Sequence, residues 1–270
     1  MNAQDLKTLT TDALDRLATL LDQGHSDQLA CFLKAMARFH RYSFHNVCLI
    51  ASQRPSATRV AGFHAWRALN RFVRKGEKGI VILAPIVTRR RTAAVDDDSK
   101  SVAGFRSAYV FDVEQTDGEP LPTASRASGD PGRLTLNLRA AIAAHGIALD
   151  DVDDLEGALG TSAGGRIHIL KCLPAAEEFS VLVHEFAHEL LHHNADRPTS
   201  RDIRELEAEA VAFVVGEAIG LQIGDAARDY IQLYRGDRDR LLASLDRVRG
   251  AATTILSAID VTRPAGDSGA

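Results

Sequence analysis

Residues 181 to 194 read VLVHEFAHELLHHN and place four histidines and two glutamates in an otherwise apolar stretch. At a helical period His184, His188 and His192 fall on one face, and the apolar residues between them supply a packing surface. His184-Glu185-x-x-His188 is the HExxH pattern, in which two imidazoles one turn apart face a single zinc ion while the glutamate handles protons. The stretch therefore predicts a half-buried helix that carries a metal site.

A third ligand is expected elsewhere, because a catalytic zinc ion keeps three protein ligands and leaves its fourth position to water. His192 lies about 12 Å along the helix from the first histidine, which is too far to share one ion. On the next predicted helix, Glu205 and Glu209 are one turn apart and share a face, as a ligand and the partner of a ligating histidine would. A second interpretation is that the glutamates of this helix form a solvated acidic face paired with Arg201 and Arg204.

The segment RELEAEAVAF, residues 204 to 213, extends the pattern to this second helix. Together the two helices resemble those of gluzincin-type metallopeptidases, and the segment is most similar to the second helix of ImmA/IrrE-type peptidases and of the C-terminal domain of ArdC-type antirestriction proteins. Metzincins are disfavoured, since Leu191 occupies the position of the glycine in their longer motif. The resemblance implies zinc as the cofactor, with His184, His188 and Glu205 as ligands, Glu185 as the catalytic base and Glu209 as the partner of a ligating histidine.

Upstream of this helix, GGRIHIL at residues 164 to 170 alternates in character after a double glycine and predicts a short strand. In zincin-like folds the strand before the active-site helix is often the sheet edge that receives an extended peptide, so fold analogy predicts that residues 166–170 form a substrate-binding edge. His168 is interpreted as an ordinary strand residue. A histidine or tyrosine usually stabilises the oxyanion, and the candidates are His193, Tyr230 and Tyr234.

The composition is that of an ordinary soluble globular protein, with 270 residues, 45% hydrophobic and 25% charged. The longest apolar run, GIVILAPIV, is too short to span a bilayer, and the N-terminal segment lacks the basic start and hydrophobic core of a signal peptide. These features predict a cytoplasmic protein. Cys31, Cys48 and Cys172 lack CxxC spacing, so we interpret them as small buried residues rather than as disulfide partners or zinc ligands.

Charge is unevenly distributed along the chain. The formal net charge is -4, yet the segment from Lys34 to Arg91 contains thirteen Lys or Arg residues and one acidic residue, Glu77. The rest of the chain is correspondingly acidic. A basic block of folded character indicates a polyanionic partner, most often nucleic acid.

The same block carries aromatic residues among its bases. Single-stranded nucleic acid is commonly bound by cations along the phosphates and by flat rings that stack on bases, at about 1–3 kcal/mol each. We expect at least half of the rings to be core residues, with Tyr42 and Trp66 as the exceptions. The segment RKGEKGI, residues 74–80, predicts a turn whose three bases either grip phosphate or simply flank a hairpin. The aromatic residues are Phe39, Tyr42, Phe44, Phe63, Trp66 and Phe72.

Residues 41–86 resemble the N-terminal single-stranded-DNA-binding domain of ArdC-type proteins. The shared features are an aromatic residue and then Asn46, a single Trp66, the turn KGEKG and a following strand, and YVFDVEQTDGEPLP at 109–122 also matches that family. His45 departs from the pattern, since relatives often have glycine there. The residues that we assign to DNA contact are Arg41, Tyr42, Asn46, Arg59, Trp66, Arg67, Arg71, Arg74, Lys75 and Lys78.

The pattern of secondary structure predicts an α+β chain of two domains. Residues 1–122 form a mixed helix and sheet domain that binds single-stranded DNA, with strands near Val60, at 80–86 and at 109–113. A linker rich in Pro, Gly and Ser follows at 123–133, and residues 134–262 form a mostly helical zincin-like domain with a small sheet. Further helices are expected at 6–24, 26–42, 136–145, 201–220, 225–235 and 237–260, before a flexible tail at 263–270.

These observations predict a zinc metalloendopeptidase that binds single-stranded DNA, and the resemblance implies antirestriction protection of incoming mobile-element DNA. The expected partners are single-stranded DNA and a protein or peptide substrate, without a membrane. The alternative is a non-enzymatic DNA-binding protein that protects DNA and contains a structural zinc site. Glu185 favours the enzyme, because a structural site needs only ligands and is typically closed by four of them.

Overall fold

The computed structural model describes residues 3–22, 26–89, 100–119, 130–193, 198–221 and 238–259, and these residues form an α+β fold with three small sheets. The described residues divide into two compact units. The first unit contains residues 3–16 and 42–119, and the second contains residues 17–41 and those from 130 onward.

Two amphipathic helices open the described chain, α1 (Ala3–Asp22) and α2 (Ser26–Arg38), close to their predicted positions. Helix α2 packs against a later helix, α7 (Arg201–Ile219), and belongs to the second unit. The predicted first domain, residues 1–122, therefore differs from the first compact unit. The amphipathic pattern of α2 identified a helix but could not identify the partner of its apolar face.

The first unit is built around an antiparallel sheet of three strands. Helix α3 (Phe44–Gln53) starts at Ser43, whose hydroxyl accepts a hydrogen bond from the backbone N–H of Asn46. Strand β1 (Val60–Gly62) leads into the short helix α4 (Phe63–Ala68). The sheet has the order β1, β4 and β3, and a second sheet pairs β2 with β5. The other strands are β2 (Arg71–Val73), β3 (Ile80–Arg89), β4 (Lys100–Asp112) and β5 (Thr116–Gly118).

Two side-chain amides of α3 pair with the outer edge of β3. The Asn46 amide donates to the carbonyl of Leu83 at 2.9 Å and accepts from its N–H at 2.8 Å. The Gln53 amide makes the same two contacts with Val81, at 2.9 and 3.0 Å. Because alternate residues of a strand direct their backbone groups to the same edge, the helix takes the place of a neighbouring strand.

In its described residues the second unit places a mixed three-stranded sheet beside helix α2 and four later helices. The sheet order is β6, β8 and β7; β6 runs parallel to β8, and β7 runs antiparallel to it. Strand β8 is thus the strand predicted at 164–170, but it is central, so the prediction that residues 166–170 form the substrate-binding edge is wrong. The elements are α5 (Arg133–Ala144), β6 (Ala148–Val152), β7 (Gly160–Ser162), β8 (Arg166–Leu170), α6 (Ala175–His192), α7 and α8 (Arg238–Ile259).

The remaining sequence expectations have mixed outcomes. The helices predicted at 136–145, 201–220 and 237–260 are confirmed as α5, α7 and α8. The helix predicted at 225–235, most of the linker and the tail at 263–270 lie outside the described residues. Cys48 is buried as expected, but Cys31 and Cys172 are exposed, the latter in the turn that follows β8. Among the described helices, none has the length and apolarity needed to cross a bilayer.

Candidate functional site

Helix α6 presents its histidines on one side because its other side is a core surface. The apolar residues recur at helical spacing, so their burial fixes the rotation of the helix. His184 and His188 remain half-buried on a face that meets α7. The fully buried residues of α6 are Phe179, Leu182, Val183, Phe186 and Ala187.

Three side chains meet between α6 and α7. The Nε2 atoms of His184 and His188 are 3.1 Å apart, and each lies 3.5 Å from Oε2 of Glu205. Across the part of the chain that the structure describes, these residues form the one cluster with metal-binding geometry. The structure thus brings together the three residues that the sequence assigned as ligands.

The spacing of these atoms fits a divalent ion. Ligands arranged tetrahedrally at about 2 Å from one zinc ion lie about 3.3 Å from each other, close to the 3.1 and 3.5 Å found here. Two imidazoles and one carboxylate also match the donor set of catalytic zinc sites, which leaves one position for water or substrate. Glu205 additionally lies 3.8 Å from the Nε atom of Arg201, so the ion pair of the acidic-face interpretation is present as well.

Glu209 contacts the far side of the first histidine. Its Oε2 atom lies 3.5 Å from Nδ1 of His184, the nitrogen that carries the proton when Nε2 faces an ion. The hydrogen bond with His184 lowers the pKa of Glu209. Burial alone would lower the pKa of His184, but Glu209 and the neighbouring carboxylates outweigh it and raise that pKa. Glu209 therefore lies where a partner of a ligating histidine is needed.

The second histidine connects to a buried chain of polar groups. Nδ1 of His188 is 2.9 Å from Nδ1 of His192, whose Nε2 is 3.0 Å from Oε2 of Glu207. If His188 faces an ion through Nε2, its Nδ1–H donates to His192, and His192 in turn donates to Glu207. Burial, together with the charge of His184, lowers the pKa of His188 to about 4, so this imidazole is neutral at pH 7, the form that binds metal.

Glu207 ends this chain in the interior of the unit. Its side chain is 0% exposed, which contradicts a solvated position for it in the acidic-face interpretation. Ser244 of α8 donates a hydrogen bond to Oε1 at 2.6 Å, and Arg247 of α8 forms an ion pair with the same carboxylate. Burial would raise the pKa of Glu207, but the hydrogen bonds from His192, Arg247 and Ser244 lower it overall. The carboxylate is therefore held in its charged form.

Glu185, a residue of α6, is buried on the side of that helix that faces strand β7. A Cβ atom added to Gly160 would lie 2.9 Å from Cγ and 3.1 Å from Oε1 of Glu185, and 2.6 Å from a methyl of Val181. Only glycine allows β7 to approach the helix this closely, because a Cβ atom on any other residue would collide with these side chains. The backbone angles of Gly160 do not by themselves require glycine. Burial raises the pKa of Glu185 to about 7, which suits a group that must both accept and release a proton.

A second glutamate of α6 fixes the hairpin that joins β7 to β8. Glu189 accepts hydrogen bonds from the hydroxyl of Ser162 at 2.6 Å and from the backbone N–H groups of Gly164 and Gly165 at 3.0 and 2.7 Å. His193 joins this cluster through Nε2, which lies 2.9 Å from the Ser162 hydroxyl. His193, a candidate for oxyanion stabilisation, thus belongs to the hairpin cluster; the other candidates, Tyr230 and Tyr234, lie outside the described residues.

In the first unit, two residues assigned to DNA contact are part of the core. Trp66 is 2% exposed, and its indole N–H donates to the carbonyl of Phe111 at 2.8 Å. Asn46 is buried, and its amide is committed to Leu83 of β3. The expectation that Trp66 offers an exposed stacking surface is therefore wrong, and Asn46 has its polar atoms turned towards the sheet.

Three further assigned residues are engaged within the fold. The hydroxyl of Tyr42 donates to the carbonyl of Val60 at 3.3 Å, and burial raises the pKa of the phenol. Arg71 donates to the hydroxyl and the carbonyl of Thr116, at 2.8 and 2.9 Å, and so links β2 to β5. Arg74 donates to Glu77 at 2.8 Å across the KGEKG turn. These contacts give each of the three a structural task.

Exposed candidates for nucleic-acid contact remain on the same unit. The other assigned bases are all at the surface; they are Arg41, Arg59, Arg67, Lys75 and Lys78. Sequence reasoning missed four exposed rings: Phe105 and Tyr109 lie beyond the basic block, and Phe63 and Phe72 were counted with the core candidates. Their exposed fractions are 61% for Phe105, 56% for Phe72, 53% for Tyr109 and 46% for Phe63. The alternation of β4 could have suggested Phe105 and Tyr109, since they are four residues apart on one face.

The fold and the site define a class of protein. An HExxH helix and a carboxylate from the following helix meet at one point beside a small sheet, which is the arrangement of the metallopeptidase-like proteins. Residues 139–243 match the IrrE N-terminal-like domain, and residues 11–111 match the N-terminal domain of anti-restriction factor ArdC. The chain therefore joins an ArdC N-terminal domain to an IrrE-like, peptidase-type domain.

Individual relatives are distant. An uncharacterized protein of Bacillus anthracis is 24% identical over 95% of this chain and 52% of its own length, so the chain spans about half the length of that relative. The crystal structure of the Mn(II)-bound antirestriction ArdC protein from plasmid R388 is 18% identical, with a TM-score of 0.52, over 94% of this chain and 99% of that one. The metal-free form of the same protein gives a TM-score of 0.46 over 83% and 87%. At this identity the Mn(II)-bound structure establishes a shared fold.

Proposed function

We propose that this protein is a metal-dependent peptidase whose first unit binds single-stranded DNA and that it protects incoming mobile-element DNA from restriction. The observation that carries the peptidase is the triangle of His184, His188 and Glu205, together with the buried Glu185 of the same helix. A structural zinc site is closed by four protein ligands, whereas a catalytic site keeps three. The described residues supply three, which favours catalysis over a structural role.

The ligand set suits a divalent ion, and the ArdC protein of plasmid R388 was crystallised with Mn(II). We propose zinc for this chain, because two imidazoles and one carboxylate at tetrahedral spacing are a zinc donor set. When bound, the ion would act as a Lewis acid that polarises the scissile carbonyl and makes water more acidic. Its donors in the chain would be Nε2 of both histidines and Oε2 of Glu205.

The chain's own residues would transfer the proton and orient the metal ligands. Glu185 would accept the proton of the attacking water and pass it to the leaving amine. Glu209 orients His184, and the His192–Glu207 pair orients His188. Burial around Glu185 keeps bulk water away from the proton that it carries.

The outer edge of β7 offers a place for an extended substrate. Strand β7 pairs with β8 on one side only, and among the described residues its other edge has no partner strand. Gly160 lets one face of the same strand approach Glu185 closely. A peptide that added a strand to β7 would have its backbone fixed by hydrogen bonds beside the proposed base.

Proteolysis of a mixed panel of unfolded and DNA-bound proteins tests this function. Wild type and Glu185→Gln are compared at equal zinc content, with and without single-stranded DNA. We expect cleavage by the wild type, a loss of at least about 100-fold in the variant, and an increase with DNA when the substrate is DNA-bound. A Glu185→Gln protein that retains zinc and cleaves as fast as the wild type would contradict the mechanism.

The DNA-binding half of the proposal is tested separately. The support for it is the basic block between Lys34 and Arg91 and the membership of this unit in the ArdC N-terminal family. Fluorescence anisotropy with labelled single-stranded and duplex DNA of equal length measures it directly. We expect tighter binding of the single strand, and equal binding of both forms would remove the proposed preference.

A further inference from the structure

The sheet of the first unit exposes a row of aromatic rings on one face. Phe105, Tyr109 and Phe111 alternate along β4 and therefore share one side of the sheet. Phe63, at the start of α4, continues the row, because its ring packs edge-on against Phe111 with centroids 6.5 Å apart. The aromatic row, as we call these four residues, extends across the β4 strand and onto the adjoining helix.

Three rings of the row, those of Phe63, Phe105 and Tyr109, are exposed, and Phe111 is partly buried. Tyr109 is paired across the ladder with Val81, which is buried, yet the tyrosine ring is half exposed. Phe105 is paired with Pro85 in the middle of the β3–β4 ladder, and its ring is more exposed still. Large exposed rings in contiguous positions on a sheet face are unusual for a surface without a partner.

Gly79 keeps the rings uncovered. A Cβ atom at this position would lie 3.0 Å from Cβ of Tyr109 and 3.1 Å from the ring of Phe111. Any larger residue at position 79 would therefore displace the rings or cover them. Because Gly79 has no special backbone angle in this structure, the close approach of the rings is the feature that requires glycine.

Basic residues border the row. Lys78 immediately precedes Gly79, and Arg67 lies one helical turn after Phe63 on the same face of α4. Both side chains are exposed, and within the described residues neither forms an ion pair with an acidic group. Exposed rings flanked by unneutralised bases are complementary to a strand with stacked bases and charged phosphates.

We propose that the aromatic row is the base-stacking surface for single-stranded DNA, with Lys78 and Arg67 contacting its phosphates. This inference rests on the proposed DNA-binding function and replaces Trp66 and Asn46 as contact residues. Along β4 the rings are spaced by about 7 Å between Tyr109 and Phe111 and by about 13 Å between Phe105 and Tyr109. The row can therefore hold two to three unstacked bases, whatever their sequence, because every base has a flat face.

The test compares Phe105→Ala/Tyr109→Ala with the wild type for binding to labelled oligothymidylate. Phe72→Ala is the matched control, since Phe72 is equally exposed but belongs to the β2–β5 sheet. We expect the double variant to lose at least about tenfold in affinity, and the control to bind as the wild type does. Because both rings are exposed, their removal should leave the thermal unfolding midpoint nearly unchanged.

An abasic oligomer of equal length separates stacking from phosphate contact. The wild type should bind it more weakly than oligothymidylate, and the double variant should bind the two alike. If the wild type binds DNA and the double variant binds equally well, the aromatic row is not the contact surface, although the DNA-binding function stands. If the wild type binds no single-stranded DNA, the proposed function fails; and if the double variant only converts a dimer to a monomer in ultracentrifugation, the row is a subunit interface.

Discussion

Gly160 shows how a single missing side chain can define the site. Its place in β7 needs no unusual backbone angle, and glycine is required only because Glu185 and Val181 occupy the space of a Cβ atom. We predict that Gly160→Ala displaces β7 or Glu185 and lowers peptide hydrolysis by at least about tenfold, with zinc affinity unchanged. Steady-state kinetics and metal titration measure both quantities. Gly62→Ala is the control, because a Cβ there meets no atom within 4 Å; equal loss in both variants would refute a specific role for Gly160.

His192 is not one of the proposed metal ligands, but its ring contacts His188, which is one of them. Removing His192 leaves Nδ1 of His188 without its acceptor and takes one of three donors from Glu207. We predict that His192→Ala weakens zinc affinity by about 10–100-fold. Competition with a chromophoric chelator measures the affinity, and His193→Ala, whose imidazole contacts Ser162 instead, should retain the wild-type value. Wild-type affinity in His192→Ala would show that the contact does not orient the ligand.

At the scale of elements, the local patterns predicted most of the described helices and half of the described strands, but not their partners. The helices α5, α6, α7 and α8 follow from apolar spacing that is written in consecutive residues. Trp66 and Asn46 were misassigned because their polar atoms meet Phe111 and Leu83, residues far away in the chain. The strand order β6, β8, β7 could not be predicted from the sequence either, since alternation in β8 identifies a strand but does not say which neighbours it has.

The side-chain amides of α3 should stabilise the packing of this helix against the edge of β3. Replacing Gln53 by Leu leaves the N–H and the carbonyl of Val81 without their side-chain partner at the edge of β3. We expect a loss of about 1–3 kcal/mol in the free energy of unfolding, because two partly buried hydrogen bonds contribute about 0.5–1.5 kcal/mol each. Urea denaturation measures it. Ser52→Ala should change stability far less, because the Ser52 hydroxyl donates within its own helix, to Leu49; similar losses in the two variants would argue against the edge pairing.

For the whole molecule, the uneven charge predicts a strong dependence of DNA binding on salt. If several bases of the first unit contact phosphates, counterions are released on binding and affinity falls as salt rises. We expect a loss of at least about tenfold between about 50 and 200 mM salt, measured by anisotropy with single-stranded DNA. Substituting Lys78 and Arg67 by Gln should make this dependence shallower. A flat response in the wild type would exclude phosphate contact as the main source of affinity.

We propose that His184, His188 and Glu205 together hold one divalent ion. Titration of metal-free protein with zinc in a calorimeter tests it directly, using the wild type, Glu205→Ala and, as control, Glu217→Ala, a glutamate further along the same helix. We predict one ion per chain for the wild type and for Glu217→Ala, and a loss of at least about 100-fold in affinity for Glu205→Ala. Wild-type zinc affinity in Glu205→Ala, or no zinc binding by the wild type, would contradict the account.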